Sequence, residues 1–299
     1  MLAHPFAFLQ GSAALMACDL AATPISGIRV LACGDCHLAK LGLFAMPERK
    51  LAFDLNDFDE ALPAPWEWDI KRLAASIVAA GRVQGLYDHS NETAVHVFAQ
   101  SYRPHLCEYV DTHLLDVLYS FLDDKTLIAT APNLKIRQDR QHVVAKARAS
   151  VCEYLFPRVT GLVDGTRILD QLPFVFHFPE PRYSETGVPK LLSEYCKKLP
   201  EHKVRLFERN HFEDFAFKVV GVGSLGTCCF IVFLLAGSNN PLVLQVKEAR
   251  PSVLEPYAGK SEFNHNGQRI DIGQRLMQSA NGMFLGWLTS IVGIQFSVR

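Results

Sequence analysis

FAFKVVGVGSLGTCCFIVFLLAGSNNPLVLQVKEA, residues 215–249, alternates two kinds of segment. Its β-branched and aromatic runs are separated first by Gly221-Val-Gly-Ser-Leu-Gly226 and then by Asn239-Asn240-Pro241, a pattern that predicts strand, glycine loop, strand, turn, strand: an antiparallel meander. The GxGxxG spacing alone is a weak signal. A dinucleotide fingerprint needs a helix directly after the glycines, whereas Thr227–Leu235 (TCCFIVFLL) is β-rich and ends in a turn. Glycines between antiparallel strands let backbone amides approach an anion, as in the loop that kinases lay over nucleotide phosphates. Lys247, inside the apolar strand Leu242–Ala249, is then placed either to grip phosphate oxygens or to face solvent on an edge strand.

Upstream, a helical pattern over Pro5–Ala22 ends near Pro24 and Gly27, and Ile28–Cys33 reads as a short strand that opens into Gly34-Asp35-Cys36-His37. Leu51–Leu55 alternates like a strand pairing back, which delivers Asn56-Asp57-Phe58-Asp59-Glu60 beside the first loop. Two acidic loops are therefore expected to meet above a helix over Trp66–Gly81, whose apolar residues recur at helical spacing. Residues 92–122 and 138–156 read as further helices joined by a polar, proline-marked linker, Asp123–Asn133. Short strands around Thr166–Pro181 precede a helix over Lys190–Arg209. A helix near Gln268–Ala280 and a strand near Ile291–Val298 complete an α+β chain. Two units are expected: a mainly helical lobe, 1–210, carrying the GDCH and NDFDE loops, and an antiparallel β lobe, 211–299, carrying the glycine loop and Lys247.

With 299 residues, 49% of them hydrophobic and 20% charged, the chain can bury a large core or divide into two lobes. A formal net charge of −1 offers no field that would gather nucleic acid or an anionic membrane. The apolar run Phe6–Ala22 is interrupted by Gly11, Ser12, Cys18 and Asp19 and follows no basic residue, so packed helix is expected there rather than a targeting segment. Cys228–Gly237 is about half the length of a bilayer span. The eight cysteines are expected as buried free thiols, which favours a reducing cytoplasm.

Asp35, on a tight loop after a strand, can accept a proton from an attacking hydroxyl, while Asp54, Asp57, Asp59 and Glu60 nearby can hold a divalent metal on a phosphate. Singly, such acids more often cap turns and helices. Packed together they repel unless a cation or protons neutralise them, so a metal is the economical reading of the cluster. Cys33-Gly-Asp-Cys36-His37 matches the CxxCH haem-attachment pattern, but that chemistry belongs to exported proteins. Zinc on Cys33, Cys36 and His37 would lack a fourth ligand from a second cysteine pair.

The stretches PFAFLQGSAALMACDLA, CGDCHLAKLGLFA, LAFDLNDFDEALPAPWEWDIKRLAAS, KVVGVGSLGT, LVLQVKEARPSVL and GQRIDIGQRLMQSANGMFLGW resemble successive blocks of the bacterial DUF2252 family over nearly the whole chain. That family has no settled activity. A more distant resemblance, carried by few residues, is to aminoglycoside phosphotransferases, choline kinases and other proteins of the protein-kinase-like fold. It implies a two-lobe architecture with Asp35 as the catalytic-loop aspartate, accompanied by His37. Asp57 and Asp59 would hold Mg2+, and Asp69 would be the buried helix aspartate that steadies the catalytic loop. Gly221, Gly223, Ser224, Gly226 and Lys247 would lie on the phosphates of ATP. In kinases the glycine loop and lysine come first in sequence; here they come last, so the resemblance implies a circular permutation, tolerable where the old termini lie close together on the surface.

Two residues depart from that pattern. Lys40 stands five residues after Asp35, where the resemblance implies a metal-binding asparagine; a lysine there replaces one metal's charge or abolishes binding. Ile272 stands where an acidic partner for Lys247 is implied, leaving Glu255 and Glu262 as substitutes. Family members extend past FSVR with further helices, so the chain is expected to be a fragment or degenerate copy with an apolar face exposed. Three functions are then expected in turn. The first is ATP-dependent phosphoryl or nucleotidyl transfer to an unidentified acceptor. The second is nucleotide binding without catalysis, as a pseudokinase or interaction module. The third is metal-dependent phosphohydrolysis on Asp35, His37, Asp54 and Asp57, with no role for Lys247. Both nucleotide readings need the late glycine hairpin to fold back over the early carboxylates, bringing Asp35, Asp57 and Lys247 within roughly 10 Å.

Overall fold

Gly11 and Ser12 divide the expected N-terminal helix into α1 (Pro5–Gln10) and α2 (Ala13–Ala21). The structure, a computed structural model, describes residues 3–149, 160–162, 166–177, 187–221, 226–237 and 240–299. β1 (Arg29–Ala32) runs into the GDCH loop and a 3-10 turn, Leu38–Lys40; β2 (Leu41–Ala45) and β3 (Leu51–Leu55) form an antiparallel hairpin; β4 (Leu62–Pro65) returns to pair with β1. The register Ala32↔Leu62 sets the end of β1 against the start of β4, so the loop after one strand and the acidic loop before the other lie side by side. α3 (Trp66–Val83) follows directly and buries Trp68, Arg72, Ser76 and Ala79. Trp68 joins Ala17, Leu20, Ala32, Leu62, Ala64 and Leu254 in a core beneath the two loops.

The middle of the chain departs from the sequence pattern in two places. The helix expected over 92–122 is α4 (Asp88–Asp111) and α5 (Leu114–Tyr119), broken at Thr112 and His113. The expected linker 123–133 starts within β5 (Leu122–Asp123), paired to β3, and holds α6 (Asp124–Ala129), which the Asp123 carboxylate caps by accepting the Thr126 N–H at 2.7 Å. α7 (Leu134–Arg148) starts on an Asn133 cap, and residues 150–156 of the helix expected there lie outside the described residues.

After β6 (Thr160–Leu162), β7 (Thr166–Ile168) and β8 (Val175–Phe176), Pro200 separates α8 (Gly187–Cys196) from α9 (Glu201–Phe207). The meander then forms as β9 (His211–Lys218), β10 (Cys229–Ala236) and β11 (Asn240–Glu248). α10 (Glu255–Ala258), α11 (Asn266–Met277) and the hairpin of β12 (Gly286–Thr289) with β13 (Gln295–Val298) complete the chain. One antiparallel sheet has the order β12-β13-β11-β10-β9-β8. Val188, Leu192 and Tyr195 of α8 and Phe207 of α9 pack on Phe215, Phe230, Val232, Leu244 and Leu288, so residues 187–207 lie on the sheet that the later chain builds. The class is mixed α+β, with antiparallel sheets.

Among the described residues no helix is long and apolar enough to cross a membrane. The described cysteines are free thiols, but Cys18 and Cys107 are exposed rather than buried as expected, because neither α2 nor α4 turns that position to a core. Val110 on α4 and Leu114, Leu115, Leu118 and Tyr119 on α5 are exposed as well.

Candidate functional site

Gly34 sits at φ +82°, and a Cβ there would lie 2.4 Å from the Glu60 carbonyl oxygen, so only glycine lets the first acidic loop approach the second this closely. From α3 below, Asp69 accepts hydrogen bonds from the Cys33 N–H at 2.7 Å and the Gly34 N–H at 3.0 Å. Burial pushes its carboxyl up, against the pull of those two amides. The Cys33 thiol is pushed far up by its hydrogen bond with Cys36, by burial and by Asp69, which marks it as an unreactive packed thiol.

Asp35 is buried beside the turn that Gly34 makes. It receives the Arg72 Nε hydrogen bond at 2.7 Å, with Lys40 Nζ at 3.1 Å and His37 Nε2 at 3.6 Å from its other oxygen. Burial works to raise its carboxyl; the His37 ring, Lys40 and Arg72 outweigh burial and hold it below the ordinary range. His37 is buried against Phe6, and its Nδ1 has no hydrogen-bond partner among the described residues.

On the second loop, Asp57 Oδ2 is in direct contact with Lys40 Nζ, and its Oδ1 faces the Arg299 guanidinium at 3.8 Å. Burial opposes charge on both partners, and the opposite charges prevail: Lys40, Lys247 and Arg299 drive the Asp57 carboxyl down, while Asp57 and Asp35 drive the Lys40 ammonium up. Asp59 is in contact with Lys247 Nζ. Arg269 of α11 fixes the loop by donating to the carbonyls of Asp59, Ala61 and Arg250 at 2.7, 2.7 and 2.8 Å. Asp54 turns away and accepts the N–H groups of Leu55 and Ser279.

Lys247 lies on an interior strand, opposite Cys229 of β10 and Ser297 of β13, and is 3% exposed; the solvent-facing edge lysine is not what forms. It lines a cavity of about 160 Å³ together with Gly221, Asp35, His37, Lys40 and Asp57. An adjoining cavity of about 130 Å³ shares Gln10, Asp35, Lys40 and Asp57 and adds Asp59 and Glu60. Late hairpin and early carboxylates therefore share one cleft. Gly226 is not on it, lining instead a larger cavity with Phe217 and Cys228, while Gly223 and Ser224 lie outside the described residues.

Asp57 and Asp59 each have a lysine on them, and the acid partner of Lys247 is Asp59 of the same acidic loop, not Glu255 or Glu262. Among the described residues no group of three or more His, Cys, Asp or Glu is arranged to hold a metal ion. The hydrolase set is not gathered either, since Asp54 spends its carboxylate on backbone. Arg72 was missed at the sequence level, although an arginine four residues after Trp68 falls on the buried stripe of α3 and signals a charge that needs a partner. Gln10 and Arg299 gave no such signal.

No curated protein and no solved structure matches this chain. A family model does, along residues 1–299, and the chain belongs to that family, described as an uncharacterized protein conserved in bacteria (DUF2252).

Proposed function

We propose that this chain binds the phosphates of an ATP-class nucleotide in the cleft between its two acidic loops and its glycine hairpin, on a kinase-like plan in permuted order. One observation carries the proposal: Gly221 and Lys247, from the end of the chain, line a cavity with Asp35, His37, Lys40 and Asp57, from its beginning. Lys40, Lys247 and Arg299 line that cavity beside Asp35 and Asp57, and their N–H donors are of the kind that recognises phosphate oxygens. At about 160 Å³ it holds part of a phosphate chain rather than a whole nucleotide, whose sites run to several hundred cubic ångströms. The nucleoside would lie outside it.

In its fuller form the plan includes phosphoryl or nucleotidyl transfer to an acceptor hydroxyl. Asp35, held below the ordinary carboxyl range, is a weak base and would orient the acceptor rather than deprotonate it. Binding without transfer is the second reading. It is favoured by Lys40, whose ammonium sits on the aspartate that transfer would assign to magnesium.

Titration calorimetry with ATP tests the proposal. Saturable binding that weakens by about tenfold or more in Lys247→Ala is expected; no binding, or binding indifferent to that substitution, removes it. Lys40→Asn separates the two readings. Gain of ATP turnover supports transfer, and binding without turnover in both proteins supports the module.

A further inference from the structure

The magnesium that the kinase-like plan implies does not fit the residues present. Asp35 Oδ1 is taken by Arg72, and Asp35 Oδ2 lies 3.1 Å from Lys40 Nζ. Asp57 Oδ2 is in contact with the same ammonium, and Asp59 Oδ2 with Lys247. Glu60 accepts the Val253 N–H at 2.7 Å, and Arg269 is packed across its loop. A divalent ion shared by Asp35 and Asp57, about 2 Å from an oxygen of each, would have to stand where the Lys40 head stands. The aspartates Asp35, Asp57 and Asp59 are already answered by Arg72, Lys40, Lys247 and Arg299, which leaves no uncompensated negative charge to recruit a second cation.

We infer that Lys40 is a tethered cation standing in for a divalent metal, so that this cleft binds a polyphosphate without one. The inference rests on the phosphate-binding reading and deepens it by naming the ligand's state: the free polyphosphate anion, not its magnesium complex. Lys40 lines both adjoining cavities, and its head bridges Asp35 and Asp57, which leaves one of its three N–H donors for a ligand. Lys247 and Arg299 flank it on the same cavity. A metal-complexed ligand would bring additional positive charge toward these three heads.

The experiment is calorimetry on the full chain with ATP and, separately, inorganic tripolyphosphate, each in excess EDTA and in excess Mg2+. Binding in EDTA at least as tight as in Mg2+ is expected. Lys40→Asn should bind about tenfold or more weakly in EDTA and recover in Mg2+, whereas Lys40→Arg should keep metal-free binding. Manganese binding by the ligand-free protein, followed by paramagnetic resonance, should be absent in the parent and appear in Lys40→Asn. Binding by the parent only in Mg2+ overturns the inference and leaves the nucleotide proposal standing. Tripolyphosphate binding in EDTA without ATP binding overturns the nucleotide reading alone, and no binding of either probe overturns both. The EDTA comparison on the parent protein needs no variant to fold.

Discussion

Arg72 and Asp35 are 2% and 5% exposed and answer each other's charge, so removing Arg72 leaves a buried Asp35 carboxylate with Lys40 and His37 on one oxygen and nothing in place of the guanidinium on the other. Arg72→Met is expected to cost about 3–5 kcal/mol in urea unfolding, and Arg72→Met with Asp35→Asn should recover a large part of it, because the remaining partner is then neutral. Asp57 is read through pH. Its carboxyl is held below the ordinary value, so the unfolded chain takes up the proton first as pH falls. The contribution of its ion pairs is complete above the ordinary carboxyl value of about 3.9 and disappears as pH drops through the depressed folded value. The gap in unfolding midpoint between the parent and Asp57→Asn should accordingly be constant from neutrality to about pH 5 and close below about pH 4. A gap that widens on acidification would contradict the assignment. Asp69 runs the other way: burial raises its carboxyl, so its ionised form costs stability at neutral pH, and that cost fades as pH falls through the raised value toward the ordinary one.

At the scale of elements, α11 reaches the acidic loop only because Gly273 has no side chain; a Cβ there would lie 2.6 Å from that of Ala61. Alanine in a helix interior ordinarily gains about 1 kcal/mol over glycine. Here Gly273→Ala should instead cost about 1–3 kcal/mol by overpacking, and Ala61→Gly in the same chain should restore it, as a double-mutant cycle would show. The α4–α5 segment is held by the opposite circumstance. Asn91 is the residue of α4 that is buried, and the segment packs chiefly on α3, leaving Val110, Leu114 and Tyr119 exposed. A six-residue helix without a buried face is marginal in water, so the amides of α5, over 114–119, should exchange with solvent far faster than those of α3; equal protection would show that α5 has a packing partner.

For the whole molecule, the cleft closes between residues 35–60 and 221–247, so a ligand there links segments that are distant in the chain. At about 100 times its dissociation constant, a bound polyphosphate should raise unfolding stability by about 2.7 kcal/mol, read as an upward shift of the melting midpoint that Lys247→Ala abolishes. An unchanged midpoint at saturating ligand would count against a site that joins the two segments.

Periodicity made the meander legible, with its glycine loop and the lysine at 247, and the strand before Asp35, the hairpin before Asp57 and the helix under both were equally plain. These are local patterns of period 2 or 3.6, visible in a single stretch of chain. The break at Thr112–His113 was not visible, and neither was the helix inside the expected linker, which follows a β5 that pairs with a strand some seventy residues earlier. Charge partnership was illegible for the same reason. Four carboxylates close together in sequence suggested a metal; Lys40 was raised as a replacement for one metal's charge, but nothing local said that Lys247 would meet Asp59. The amino-acid order by itself determined the elements that carry the site, the family and the list of charged groups. Only tertiary structure decided which cation meets which carboxylate, since an ion pair forms between heads that folding brings within a few ångströms, whatever their distance along the chain.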